Sequence, residues 1–119
     1  MNRLLLTVSA IAAFAASGLA NAQEYPDRPI TVVVPFSAGG PTDTVTRLIS
    51  EVMSSELGQQ VLVQNVGGAG GTLGAGQVAE AEPDGYTLLV HHIGMSTAPT
   101  LYRSLPYDPL TDFTPIGLI

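Results

Sequence analysis

The sequence predicts an α/β fold, an open parallel sheet with a βαβαβ start. Three observations predict it. Short β-branched, nearly continuous apolar runs recur along the chain. Stretches of helical period stand between them. Glycine- and proline-rich junctions separate the two kinds of segment. Strand, helix, strand, helix, strand with right-handed crossovers gives a parallel sheet.

The first strand is Ile30-Thr31-Val32-Val33-Val34-Pro35, after a Pro-bearing lead from Glu24 to Pro29. Val45, Leu48, Ile49, Val52, Met53 and Leu57 are spaced as one face of a helix. Pro41 at the first helical position and Asp43 in the first turn open that helix, and Gly58 closes it. Val61-Leu62-Val63-Gln64 is the second strand. A glycine tract from Gly67 to Gly76 then opens a short helix near Gly70-Gly71-Thr72, with Leu73, Gln77, Val78 and Ala81 as its weak apolar face. Pro83-Asp84-Gly85 turns the chain into a third strand, Thr87 to Val90, which reaches into His91 and His92. A short helix around Ala98 to Tyr102, a turn at Tyr107-Asp108-Pro109 and a new apolar run at Pro115 to Ile119 complete the reading. That last run is expected to be the next strand.

One hundred and nineteen residues make one domain at most. Four arginines and no lysine stand against 10 acids, a net charge of −6, which argues against nucleic acid and a basic membrane-surface helix alike. Residues 1–22 have the form of a secretory signal: basic Arg3, an apolar run from Leu4 to Ala16, and Ala20-Asn21-Ala22 before a cut that leaves Gln23 first. The apolar run is too short for a membrane span, which needs about 20 residues. The absence of cysteine excludes disulfides in the exported chain. The expected location is the periplasm.

In open parallel sheets ligands sit beyond the carboxyl ends of the strands. Here those ends are Phe36 to Gly40, Asn65 to Thr72, and His91 to Ser96. In the first, Phe36-Ser37-Ala38-Gly39-Gly40 leads into a helix start whose backbone N–H groups can hold a carboxylate without a basic side chain. The plainer reading is that Gly39 and Gly40 make a tight turn and Asp43 caps its own helix. Ser37-Ala38-Gly39 matches only the second half of a hydrolase nucleophile elbow, with Pro35 where glycine is needed. Without lysine a P-loop is excluded, and Gly74-Ala75-Gly76 lies too far behind its strand for a dinucleotide fingerprint. His91 and His92, adjacent on a strand, are expected on opposite faces and so unable to share a metal. No metal and no cofactor are expected.

Tyr25-Pro26, Arg28-Pro29-Ile30, Val33-Val34-Pro35-Phe36 with Gly39-Gly40 and Asp43 resemble the opening of the tripartite tricarboxylate transporter receptors, also called Bug receptors. Val63 with Asn65, Gly68-Ala69-Gly70-Gly71, Pro83-Asp84-Gly85-Tyr86-Thr87-Leu88, and Tyr107-Asp108-Pro109 with Asp112-Phe113 continue the resemblance in order and spacing. It implies a non-enzymatic, two-lobed, hinge-closing periplasmic binding protein of type II-like architecture. Such a receptor presents a small carboxylate (a di- or tricarboxylate, an amino acid or an aromatic acid) to membrane permease subunits, and a monomer is expected at full length. The positions the resemblance marks for ligand are Phe36, Ser37, Ala38, Gly39, Gly40, Asp43, Gly71, Thr72, His92, Gly94 and Ser96. It also implies that residues 23–119 are the amino-terminal part of a first lobe, a fragment lacking the second lobe and expected to bind weakly alone. The alternatives are an exported α/β hydrolase using Ser37 and a truncated interaction module.

Overall fold

The computed structural model describes residues 24–119; the expected signal segment lies outside them. Three parallel strands form the sheet: β1 (Ile30–Val34), β2 (Val61–Asn65) and β3 (Thr87–Leu89), in the spatial order β2-β1-β3. β1 is central, which is why its β-branched run is almost wholly buried. Its register sets Ile30 beside Val61 and Val34 beside Asn65 on one side, and Thr31 beside Thr87 on the other. The parallel pairing follows the expected βαβαβ scheme.

Helix α1 (Pro41–Leu57) links β1 to β2, and α2 (Thr72–Ala79) links β2 to β3 after a single 3₁₀ turn at Ala69–Gly71. Right-handed crossovers with this strand order put the two helices on opposite faces. Pro41 begins α1 and Gly58, at φ 66°, ends it, as the sequence predicts. The inward face of α1 is a different one. Asp43, Thr46 and Ser50 are buried, Ile49 and Met53 are half-buried, and Val45, Leu48 and Val52 are exposed, Leu48 at 63%. Small Thr46 and Ser50 let the helix approach the sheet closely. The apolar arc is wider than the contact, so its outer edge faces away. Met53 joins Ile30, Val32, Val61, Leu88 and Val90 in the core on that side.

The weak apolar face expected on α2 is likewise not the buried one. Leu73 and Gln77 are exposed, whereas Thr72, Gly74, Ala75 and Gly76 are buried. The reason is distance. A Cβ on Gly74 would stand 2.7 Å from the Val66 carbonyl oxygen and 2.8 Å from Pro35 Cβ, so α2 lies against the chain leaving β1 with room for hydrogen alone.

Helix α3 (Gly94–Leu101) starts four residues before the expected helix. Ile93 O accepts the N–H groups of Ser96 and Thr97 and the Ser96 hydroxyl, which holds a first turn that Gly94 and Pro99 disguise in the sequence. Residues 113–119 form no strand; Ile116, Leu118 and Ile119 stay exposed, with no described strand edge pairing them. At the amino-terminal end of the sheet, Arg28 pairs with Asp84 at 2.6 Å and lies 4.1 Å above the Tyr86 ring, while the Tyr25 hydroxyl donates to Gly85 O at 2.7 Å. These contacts tie the lead segment to the turn that enters β3. No helix among the described residues is long and apolar enough to cross a membrane.

Candidate functional site

Parallel strands deliver all three following loops to one edge. The chain reverses direction across the sheet at β1, stepping to one side for β2 and crossing back for β3, and the carboxyl edge at such a reversal is where ligands lie in these sheets. Three rings meet there. Phe36, just beyond β1, stacks on His92 at 4.3 Å between centroids and 15° between planes, and meets His91 edge-on at 5.3 Å. The two histidine rings are 5.2 Å apart.

That geometry corrects the expectation that His91 and His92 point to opposite faces. β3 ends at Leu89, and although Val90 N–H still bonds Val33 O at 3.0 Å, the chain then leaves the sheet. His92 N–H donates to His91 Nδ1 at 2.9 Å, and Gly94 N–H donates to His92 Nδ1 at 2.9 Å. Strand alternation no longer applies, and both rings lie against Phe36. His91 is half-buried, and that burial holds its pKa below the ordinary 6.5, against a backbone hydrogen bond to His92 that raises it. No group of three metal-ligating side chains gathers among the described residues.

The second loop reaches the same cluster through Gly71. At φ 94° it adopts a conformation that side chains resist, and a Cβ there would be 2.9 Å from His91 Nε2 and 3.1 Å from Phe36 Cζ. Thr72 is buried, its hydroxyl donating to Ala69 O at 3.0 Å at the start of α2. Phe36, Gly71 and His91 thus bring the three predicted loops into contact. Gly94 and Ser96 lie on the first turn of α3, the Ser96 hydroxyl donating to Ile93 O at 2.9 Å.

Ser37, Ala38 and Gly39 are exposed at the front of α1. Among the described residues, the N–H groups of Ser37, Ala38 and Thr42 have no acceptor, while Gly40 N–H makes a long 3.3 Å bond to Ser37 O. Asp43 is 2% exposed and occupied on both oxygens. Oδ2 accepts from Gly39 N–H at 2.7 Å and from Arg47 Nε at 2.9 Å; Oδ1 accepts from Asn65 Nδ2 at 2.9 Å. Asn65 Nδ2 also donates to Phe36 O at 3.1 Å, and Arg47 Nη2 donates to Asn65 Oδ1 at 3.1 Å. The Arg47 side chain first, then the Gly39 N–H and Asn65, bring the Asp43 pKa to about 2. These contacts tie Asp43 to the preceding loop, to Arg47 and to β2, and none of them is to an N–H of its own helix's first turn.

Arg47 and Asn65 are the site residues that sequence reasoning missed. The four-residue step from Asp43 to Arg47 was a readable signal for their pairing; the contact from Asn65 was not. Ser37 Oγ has no hydrogen-bond partner among the described residues, and no Ser-His-Asp arrangement is assembled there. An open cavity of about 670 Å³ beyond α3 is lined by Met95, Ser96, Tyr102, Arg103, Tyr107 and Leu110 among others. It shares only Met95 and Ser96 with the third loop and none of the first two, so the convergence of loops, not cavity size, locates the site.

A parallel sheet that reverses at β1, with three loops meeting at a glycine-rich carboxyl edge, defines an α/β lobe of the class that holds ligands at that edge. The comparisons place it more closely. The family model described as tripartite tricarboxylate transporter family receptor matches residues 45–119, and the chain belongs to that family. It is 58% identical over 102 residues to the UPF0065 protein in the TAR-I ttuE-ttuC' intergenic region of Agrobacterium vitis, covering 85% of this chain and 30% of that protein. Among solved structures it is similar to the periplasmic binding protein BugD, with a TM-score of 0.76 and 58% identity over 78% of this chain and 31% of that one. It is also similar to MatC from Rhodopseudomonas palustris with bound malate, with a TM-score of 0.73 and 53% identity over 76% of this chain and 31% of that one. The chain therefore spans about 30% of the length of these relatives. Neighbours at such identity place the fold with the periplasmic binding proteins of this family.

Proposed function

We propose that the chain serves as the ligand-facing part of an extracytoplasmic receptor that captures a small carboxylate, a diacid of malate's class, and hands it to membrane permease subunits. The observation that carries this reading is the cluster of free N–H groups at Ser37, Ala38 and Thr42 beside a helix start, on a chain 53% identical to a protein with bound malate. Residues 23–119 form part of the first lobe, delivered to the periplasm after cleavage following Ala22. Ser37, Ala38 and Thr42 supply backbone donors, Gly39, Gly40, Gly71 and Thr72 shape the loops around them, Phe36 and His92 with Gly94 and Ser96 form the rim, and Asp43 holds the first loop in place. The role is capture rather than turnover.

The test is calorimetric titration of the protein recovered from the periplasm of its native host with malate, citrate and aspartate. Saturable micromolar binding of at least one, with no product formed, is the expected result. Absence of binding to all three overturns the reading. Residues 23–119 alone are expected to bind weakly, since hinge closure needs two bodies.

A further inference from the structure

We propose that His92 is a specificity-determining residue, its Nε2–H donating to the second carboxylate of a diacid whose first carboxylate sits on the amides of Ser37, Ala38 and Thr42. The inference rests on the carboxylate reading above and says how the same edge separates diacids from monoacids.

Two observations fix the donor. Gly94 N–H donates to His92 Nδ1 at 2.9 Å, so Nδ1 is the acceptor and the proton of the neutral ring stands on Nε2. The ring is exposed yet held flat on Phe36, 4.3 Å away and 15° from parallel, with His91 edge-on at 5.2 Å. His91 is itself locked, receiving His92 N–H on Nδ1 and lying over Gly71. A donor on an immobilised ring loses little freedom on meeting a ligand.

Position supplies the second carboxylate. Phe36 is followed directly by Ser37 and Ala38, so the stacked His92 ring adjoins the loop that carries the amide donors. Basic side chains nearby are already engaged: Arg47 is bonded to Asp43 and Asn65. With Arg47 engaged, the His92 Nε2–H is the donor left to meet the far end of the ligand.

The experiment compares malate with lactate, which lacks the second carboxylate, on the periplasmic protein and on His92→Phe and His92→Gln. Phe keeps a ring for Phe36 to stack on and removes the donor; Gln restores a distal N–H. The wild type is expected to favour malate over lactate, His92→Phe to lose about tenfold of that preference, and His92→Gln to recover most of it. An unchanged malate-to-lactate ratio in His92→Phe overturns the proposal while leaving carboxylate capture standing. Failure of the wild type to bind malate overturns the proposal, and failure with citrate and aspartate as well overturns the carboxylate reading too. Should His92→Phe not fold, the imidazole ¹⁵N signals of the wild type decide: His92 Nε2 must shift with malate and not with lactate, and no difference overturns the assignment.

Discussion

Asn65, the last residue of β2, donates from Nδ2 to Asp43 Oδ1 at 2.9 Å and to Phe36 O at 3.1 Å. One side-chain amide thereby joins the end of β2, the loop after β1 and the first turn of α1. Because Asp43 also receives Gly39 N–H, the backbone around Ser37 and Ala38 is held from both ends. The loop proposed to present amides to a ligand is held by these bonds in advance, so little ordering cost would be left to binding.

Asp43→Ala removes that hold. The Gly39 N–H loses its acceptor, and Arg47 and Asn65 lose a shared one, a change that in a domain of this size lowers the thermal midpoint by about 5–10 °C. Differential scanning calorimetry reads it directly. Asp43→Asn, which keeps the shape, should fall between the two.

The same carboxylate makes the fold acid-sensitive. Its pKa is about 2 in the folded chain against 3.8 ordinarily, so the unfolded chain takes up the proton first as the pH falls. The associated stability is complete above about pH 5 and disappears as the pH falls from about 4 to 2. Chemical denaturation at a series of pH values should show this loss, and Asp43→Asn should flatten the curve in that window.

Helix α1 offers a test of which face is inward. Thr46 is 1% exposed and Leu48 is 63% exposed, so the more hydrophobic position is the outer one. Thr46→Leu overpacks the contact with the sheet and should cost about 1–3 kcal/mol. Leu48→Lys should stay within about 0.5 kcal/mol on residues 24–119. A reversed order in urea melts would mean that α1 sits rotated from the position described.

These two helices also show what a sequence conveys. The parallel sheet and the carboxyl-edge loops were legible because apolar runs, helical spacing and turn residues are local signals, and right-handed crossovers leave few arrangements for them; the strand order was not among them. Which arc of α1 or α2 turns inward was not legible either. Hydrophobic spacing marks an arc, but close approach selects small residues within or beside it, here Thr46, Ser50, Gly74 and Ala75. The His91–His92 pair was misjudged for a related reason. Alternation holds only inside the ladder, and the ladder ends at Leu89. The Asn65 clasp joins residues 22 apart, a separation to which no local pattern points.

Gly74→Ala tests close approach at α2. The added carbon would stand 2.7 Å from Val66 O and 3.0 Å from Pro35 Cα, both backbone atoms that cannot swing aside. A loss of about 1–3 kcal/mol is expected. Gly67→Ala is the control, because its Cβ would meet nothing nearer than 3.7 Å, and it should be close to neutral by the same denaturant midpoint.

His91 adds a second, separate pH dependence. Burial lowers its pKa from 6.5, so in the folded chain the ring stays neutral at pH values where the unfolded chain already binds a proton. By linkage, the stabilisation is present above about pH 6.5 and decreases as the pH falls below it, the opposite of a histidine that gains a charged partner on folding. The cause lies in the site: the ring is covered by Gly71 and Phe36, and this burial outweighs the backbone hydrogen bond to His92, which favours the proton. Denaturant midpoints for residues 24–119 should therefore fall between pH 7 and 5, well above the Asp43 window. In His91→Asn that fall should shrink while the loss between pH 4 and 2 remains. An identical slope in the variant would assign the upper transition to some other group.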